Sequence, residues 1–215
     1  MEEVLDLYAQ QPLTGIARIC FDERPCQLLG EAVAPLPVKA ARPERQDYEY
    51  TRHGTAVILL AYDMVTGQRY AQVRKQRTKK DYAQFMDWLL EAHYPQAQQV
   101  ELVQDNLNTH TYGSFYEHLP ADRARGLAQR LNFHFTPKHG SWLNMAEIEF
   151  SVLARECLSR RIESIEKLEQ EVRAWSKSRN TRATKIHWGF TVNTARHKLA
   201  RQYEKVNEAN ANYKN

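Results

Sequence analysis

The chain has few cysteines. Cys20, Cys26 and Cys157 are an odd number with no Cys-x-x-Cys spacing, which excludes a disulfide framework and a cysteine-held zinc site, and they read as reduced thiols. Long apolar runs are missing as well: no stretch approaches the ~18 consecutive apolar residues of a membrane span. The N-terminus, MEEVLDLYAQ, is acidic and lacks the basic and apolar regions of a secretory signal. No internal repeat or low-complexity linker interrupts the sequence. The expectation is a cytoplasmic globular protein with no membrane partner, one domain or a small pair in length.

What is present is a core-forming 42% of hydrophobic residues and an uneven charge. The net +4 arises because residues 151–215 carry 14 Lys and Arg against 7 Asp and Glu, while residues 1–150 carry 16 against 19. Between Arg173 and Lys205 nine basic residues, among them Lys177, Arg179, Arg182 and Lys185, meet one acid, Glu204, with Trp175, His187, Trp188, Phe190 and Tyr203 interleaved. A second cluster, Arg74, Lys75, Arg77, Lys79 and Lys80, places five positive charges in seven residues. Each cluster alone also fits a solvated face; two together favour a polyanion as partner.

TGIARICFDE reads as a strand reaching Asp22, CQLLGEAVAPLPV as a second extended piece, and Pro35 to Arg45 as a loop. TAVILLAYDMVTGQRYAQVR reads as a hairpin about its Thr-Gly turn, with Asp63 serving that turn, so the first strands pair antiparallel. DYAQFMDWLLEAHYP has the apolar spacing of a helix closed by Pro95, and QQVELVQD is a strand ending on Asp105. A helical segment, FYEHLPADRARGLAQR, leads to a short strand, NFHFTP. Helices follow from Asn144 to Ile162 and over SIEKLEQEVRAWSKS, where Ser164 lacks the acidic partner of a capping box. The tail, ANANYKN, reads as frayed. The fold class is α/β: a mixed sheet, antiparallel strands first, flanked by helices.

Two strands thus end in carboxylates, Asp22 and Asp105, and the helix from Asn144 carries Glu147 and Glu149 near its start. An Asp at a strand end is ordinarily a turn former or cap. If these two strands are neighbours, however, the carboxylates need a proton or a cation. An all-oxygen set suits a hard ion, Mg²⁺ or Mn²⁺, and two such ions can clamp the attacking and leaving oxygens of a phosphoryl transfer.

Three motifs decide between these readings: CFDERPCQL, LVQDNLNTH, and TPKHGSWLNMAEIEFSVL at residues 136–153. In that order they resemble the landmarks of bacterial insertion-sequence transposases of the mariner-like superfamily, DDE endonucleases with a ribonuclease H-like fold. The similarity runs from about Tyr8 to the Trp188 region. The resemblance implies that Asp22, Asp105 and Glu147 are the catalytic metal ligands for two Mg²⁺ or Mn²⁺ ions. Glu149, two residues along the helix, does not share a face with Glu147 and is expected to be a surface or supporting charge. Asn106, Asn108 and His110 are expected to shape the site by orienting ligands, binding phosphate or capping the next helix, and His139 and Asn144 belong to the same set. Trp142 is open between packing and DNA contact, and Lys138 is a candidate phosphate contact.

The resemblance further implies a lead-in at 1–15, a catalytic domain at 16–190, and a basic helix with its tail at 191–215. The implied activity is DNA transposition: hydrolysis at transposon ends, then strand transfer of the 3′-OH into target DNA during integration. A ribonuclease H-like nuclease without strand transfer and an inactive DNA-binding remnant are the alternatives. Members of the superfamily carry a helix-turn-helix region ahead of the catalytic domain, so the chain reads as the catalytic portion alone. A separate helix-turn-helix polypeptide and a homodimer are the expected protein partners, in a nucleoid-associated setting.

Overall fold

The computed structural model describes residues 1–34 and 47–207; the loop expected at Pro35 to Arg45 and the tail ANANYKN lie outside the described residues. A helix, α1 (Glu2–Ala9), precedes β1 (Ile16–Glu31), β2 (Tyr50–Asp63), β3 (Arg69–Arg74), α2 (Lys79–His93) and β4 (Gln99–Gln104). Then come α3 (Tyr112–His118), α4 (Ala121–Arg130), β5 (Leu131–Phe135), a 3-10 turn at Ser141–Leu143, α5 (Met145–Glu156), α6 (Ile165–Thr181), α7 (Val192–Lys198) and α8 (Ala200–Val206). The strands form one sheet in the order β3-β2-β1-β4-β5, with β1, β2 and β3 antiparallel and β4 and β5 parallel to β1.

Strand β2 is apolar on both faces because both are covered. Its Val57, Leu59 and Ala61 pack with Phe85, Met86 and Leu89 of α2. Its Ala56, Ile58 and Leu60 pack with Phe150 and Leu153 of α5 and with Leu168, Val172 and Trp175 of α6. Helix α2 starts two residues earlier than its apolar spacing suggests, since Thr78 and Asp81 form a reciprocal capping box. Ser164 caps α6 from one side only, accepting from the Lys167 amide at 3.2 Å.

Two expectations are corrected. The two extended pieces around Pro25 are one 16-residue strand. The residues that bond β2 to β1 are its even-numbered ones, so Pro25, opposite Val57, turns its missing N–H toward the side that β4 leaves open beyond Cys20. Helix α5 stops at Glu156 rather than Ile162, because the chain turns back there. Ile162 is buried and its carbonyl accepts from the Leu29 amide at 2.9 Å. Among the described residues, no helix is long and apolar enough to cross a membrane.

The basic C-terminal segment is two short helices, and α7 docks on α1. Arg196 donates two hydrogen bonds of 2.8 Å to the Glu2 carboxylate and Tyr203 a third of 2.6 Å. Arg196 first, then Tyr203, hold the Glu2 carboxyl down at about 2, against 4.5 for the free group. A depressed folded value means this contribution is complete above pH 4.5 and is lost as the pH falls toward 2. Acidification through that window is expected to loosen α7 from α1, read as falling amide protection once intrinsic exchange rates are divided out. Glu2→Gln should flatten that pH dependence, and an α7 whose protection ignores pH in the wild type would refute the clamp.

Candidate active site

Strand β1 pairs with β4 in parallel as far as Cys20 opposite Val103. The same offset carried two residues on brings Asp22 level with Asp105, the first residue past β4, at one edge of the sheet. Asp22 is 9% exposed, and its Oδ1 accepts from the Glu23 amide at 2.8 Å. The Asp105 side chain is 34% exposed.

The third acid arrives through Asn144. Its Oδ1 caps α5 by accepting from the Ala146 amide at 3.1 Å. Its Nδ2 donates to the Phe21 carbonyl at 2.8 Å and to Asp22 Oδ2 at 3.3 Å. One buried amide thus fixes the start of α5 against the end of β1, and Glu147 stands in the first turn beyond it. The preceding turn is held from the other side by Tyr8, whose hydroxyl donates to the Leu143 carbonyl at 2.7 Å. Asn144→Ala is expected to lose about 1–2 kcal/mol through the cap and the buried bond, measured by thermal unfolding, with Asn144→Ser recovering the capping part. A loss below about 0.5 kcal/mol would mean that α5 is anchored elsewhere.

His110 is wholly buried between two acids: Nε2 lies 2.9 Å from Glu23 Oε2 and Nδ1 lies 2.7 Å from Asp105 Oδ1. Nδ1 also lies 3.2 Å from the Asp105 main-chain carbonyl. Burial works against the imidazolium, but Asp105 and Glu23 outweigh it and push His110 up to about 9. Its ring sits against Tyr82 and Phe21, with centroids 4.8 and 5.4 Å away, and Tyr82 donates to the buried Gln104 at 2.8 Å. Glu23 is the member of this group that the sequence did not single out. Its position directly after Asp22 in the first motif was the available signal.

For Asp22, burial is the main influence; together with the charges of Glu147, Asp105 and Glu23 it pushes the carboxyl up to about 7. Such crowding fits an oxygen-ligated hard cation. Among the described residues no three His, Cys, Asp or Glu side chains converge closely enough to hold an ion as they stand. Glu147 is exposed and Asp105 partly so, which leaves both side chains room to close on one.

The other expected site residues lie further out. Asn106 and Asn108 are exposed, and the N-cap of α3 is Thr111, so neither caps that helix. His139 is exposed in a turn with φ of 62°, and Lys138 beside it is exposed. Trp142 packs edge-on to Phe190 at 5.3 Å, as its packing reading expects, and is 45% exposed. Of the basic residues, Lys75, Arg77, Lys80, Lys177 and Arg182 are exposed. Lys79 pairs with Glu117, Arg173 with Glu169, and Lys185 donates to the Val65 carbonyl. By register Asp22 lies level with Ala71 and Pro25 level with Arg74, so the Arg74 to Lys80 cluster lies toward the same end of the sheet as the acids.

Glu149, expected as a surface or supporting charge, is the second of these and lies at the centre of a buried network. It is 0% exposed, and Arg69 donates to both of its oxygens at 2.7 Å. Arg179, expected on the DNA-binding surface, turns inward: its side chain is 12% exposed and donates to Glu149 at 3.2 and 3.3 Å. The network joins β3, α5 and α6, and so fixes the rotation of the helix that carries Glu147.

Residues 17–169, well over half of the chain, match the family model of the DDE superfamily endonucleases. The crystal structure of the catalytic domain of Mos1 mariner transposase is similar with a TM-score of 0.55 at 15% identity, over 97% of this chain and 89% of that one. The Mos1 mariner paired end complex with Mn gives 0.56 at 16% identity, over 97% and 60%, and the Mos1 strand transfer complex gives 0.56 at 16%, over 97% and 58%. The chain therefore spans 58–60% of the length of the chains in those two complexes. No curated protein matches it. The shared fold is the ribonuclease H-like mixed sheet flanked by helices.

Proposed function

The chain belongs to the DDE superfamily endonuclease family, and on that premise we propose that it is the catalytic domain of a DNA transposase. The observation that carries this reading is the gathering of Asp22, Glu147 and Asp105 from β1, α5 and the end of β4, with Asn144 joining the first two elements. Asp22, Asp105 and Glu147 would hold two Mg²⁺ or Mn²⁺ ions; the Mos1 complexes solved with Mn and with Mg are consistent with that choice. When bound, such ions stabilise charge developing on the transferring phosphoryl group and lower the pKa of attacking water.

The chain's own groups prepare this chemistry. Protonated His110 balances one of the four clustered acids and holds Asp105 at the end of β4. Asn144 holds Asp22 toward α5. Exposed Lys75, Arg77 and Lys80 would take the DNA backbone, with Arg182 and Lys138 as further contacts. Hydrolysis frees a 3′-OH at the element end, and that oxygen then attacks a target phosphodiester in line, forming a new P–O bond as the target strand's own 3′-oxygen leaves. A helix-turn-helix region outside this chain would recognise the ends, and two copies would act on a pair of them.

Incubating the chain with supercoiled plasmid and a labelled duplex bearing a free 3′-OH tests this reading. Nicking and joining of the label, both dependent on Mg²⁺ or Mn²⁺, are expected. Nicking without joining would replace transposition by a simple nuclease, and salt-sensitive binding without cutting would leave a DNA-binding remnant. Replacing Lys75, Arg77 and Lys80 with Ala is expected to reduce the slope of log affinity against log salt by about 0.9 per lost phosphate contact. An unchanged slope in fluorescence anisotropy would remove that loop from the DNA surface.

A further inference from the structure

We propose that the open edge of β3 is a docking site for an extended, acidic peptide segment of a partner polypeptide. Strand β3 ends the sheet, with only β2 beside it. The Gln68 carbonyl accepts from the Asp63 amide, so the even-numbered residues of β3 bond inward and Arg69, Ala71 and Val73 turn N–H and C=O outward. At Arg69 that outer position is already filled. The Asn180 side-chain amide accepts from its N–H at 2.8 Å and donates to its C=O at 2.9 Å, doing what a neighbouring strand would do. The same groups of Ala71 and Val73 have no partner among the described residues.

This edge runs along a groove of about 840 Å³ with Trp88 and His93 of α2 on one side and α6 on the other. Two further groups there have no hydrogen-bond partner among the described residues. The Ser176 hydroxyl is buried in a residue only 8% exposed, and the Arg74 Nε is buried as well. Buried donors of this kind are costly unless something accepts from them.

Charge selects the occupant. Arg74, Arg173 and Lys177 line the groove against a single acid, Glu169, itself tied to Arg173. A nucleic-acid backbone offers acceptors alone and cannot satisfy alternating N–H and C=O groups. A peptide strand satisfies both, and acidic side chains on it would meet the three cations. Strand β2 lies between this edge and β1 with its acids, and the proposal does not depend on the chemistry proposed for them.

Panning a random peptide library on the full chain, with enriched peptides measured by fluorescence anisotropy, tests the proposal. Enriched sequences are expected to be acidic and rich in β-branched residues, and methylating their backbone nitrogens should weaken binding about tenfold or more. Ala71→Pro removes one outward N–H from an edge strand, where proline is tolerated, and should weaken binding by a similar factor while leaving plasmid nicking unchanged. The N-methyl comparison uses the wild-type chain, so it decides the question even if that variant folds poorly. Absence of enrichment, or peptides indifferent to N-methylation, would overturn the proposal. So would displacement of the peptides by duplex DNA that itself binds Ala71→Pro more weakly. Self-association that Ala71→Pro abolishes would assign the edge to a second copy instead.

Discussion

Asp22→Asn is expected to abolish metal-dependent nicking while raising the melting temperature of the metal-free protein. The two effects have one origin. Asp22 is 9% exposed and shares its end of the sheet with Glu23, Asp105 and Glu147, and among the described residues His110 pairs with two of these acids, Glu23 and Asp105, but not with Asp22. Removing one buried negative charge relieves repulsion and desolvation, both of which oppose folding. The same charge is one that a divalent cation requires. Losing several kcal/mol of transition-state stabilisation, at about 1.4 kcal/mol per tenfold, lowers the nicking rate by about a thousandfold or more.

Thermal unfolding with and without Mn²⁺ makes the test sharper. A ligand that binds only the folded state stabilises it by mass action, so Mn²⁺ should raise the wild-type melting temperature and leave Asp22→Asn nearly unmoved. If the variant still nicks, or Mn²⁺ stabilises both proteins equally, the carboxylate site is elsewhere. Asp105→Asn should also lose nicking but without the gain in stability, because it takes from the buried His110 one of the two carboxylates paired with it.

The second large effect is expected at Glu149. Glu149→Ala strands the Arg69 guanidinium in an interior where both side chains are 0% exposed. Breaking such a pair costs about 3–5 kcal/mol. At about 2–4 °C per kcal/mol for a domain of this size, the melting temperature should fall by about 6–20 °C. Arg69→Met combined with Glu149→Leu removes both charges and should recover most of that loss. Nicking should recover less fully than stability, since Arg69 and Arg179 also hold α5 in rotation against β3 and α6. A Glu149→Ala variant within about 1 kcal/mol of wild type would mean that the pair is wet or freely replaced.

Legibility followed the range of each interaction. Asp22 and Asp105 stood out as candidates because each closes an apolar strand, and Glu147 because it stands three residues past a capping Asn within a recognisable motif. For Glu149 the sequence left a surface and a supporting role open. Helical spacing correctly placed it on a different face from Glu147, but it carries no information about what that face meets. Arg69 reads as a strand residue and Arg179 as part of a basic helix, and they lie 80 and 30 residues from Glu149. The Thr78 capping box was missed although it is local, because the apolar spacing alone was followed.

By itself, the sequence determined the mixed sheet with its antiparallel strands first, most of the helices and the family, and it offered the three acids as candidates. These rest on periodicity and on short motifs, which are written within a few turns of chain. The tertiary structure alone decided that β1 runs unbroken past Pro25, that His110 sits between Glu23 and Asp105, and that Glu149 faces two arginines. It also decided that the β3 edge lies open between α2 and α6. Each of these depends on which distant segments become neighbours, and burial then converts an ordinary surface residue into a paired charge or leaves a main-chain edge unpaired.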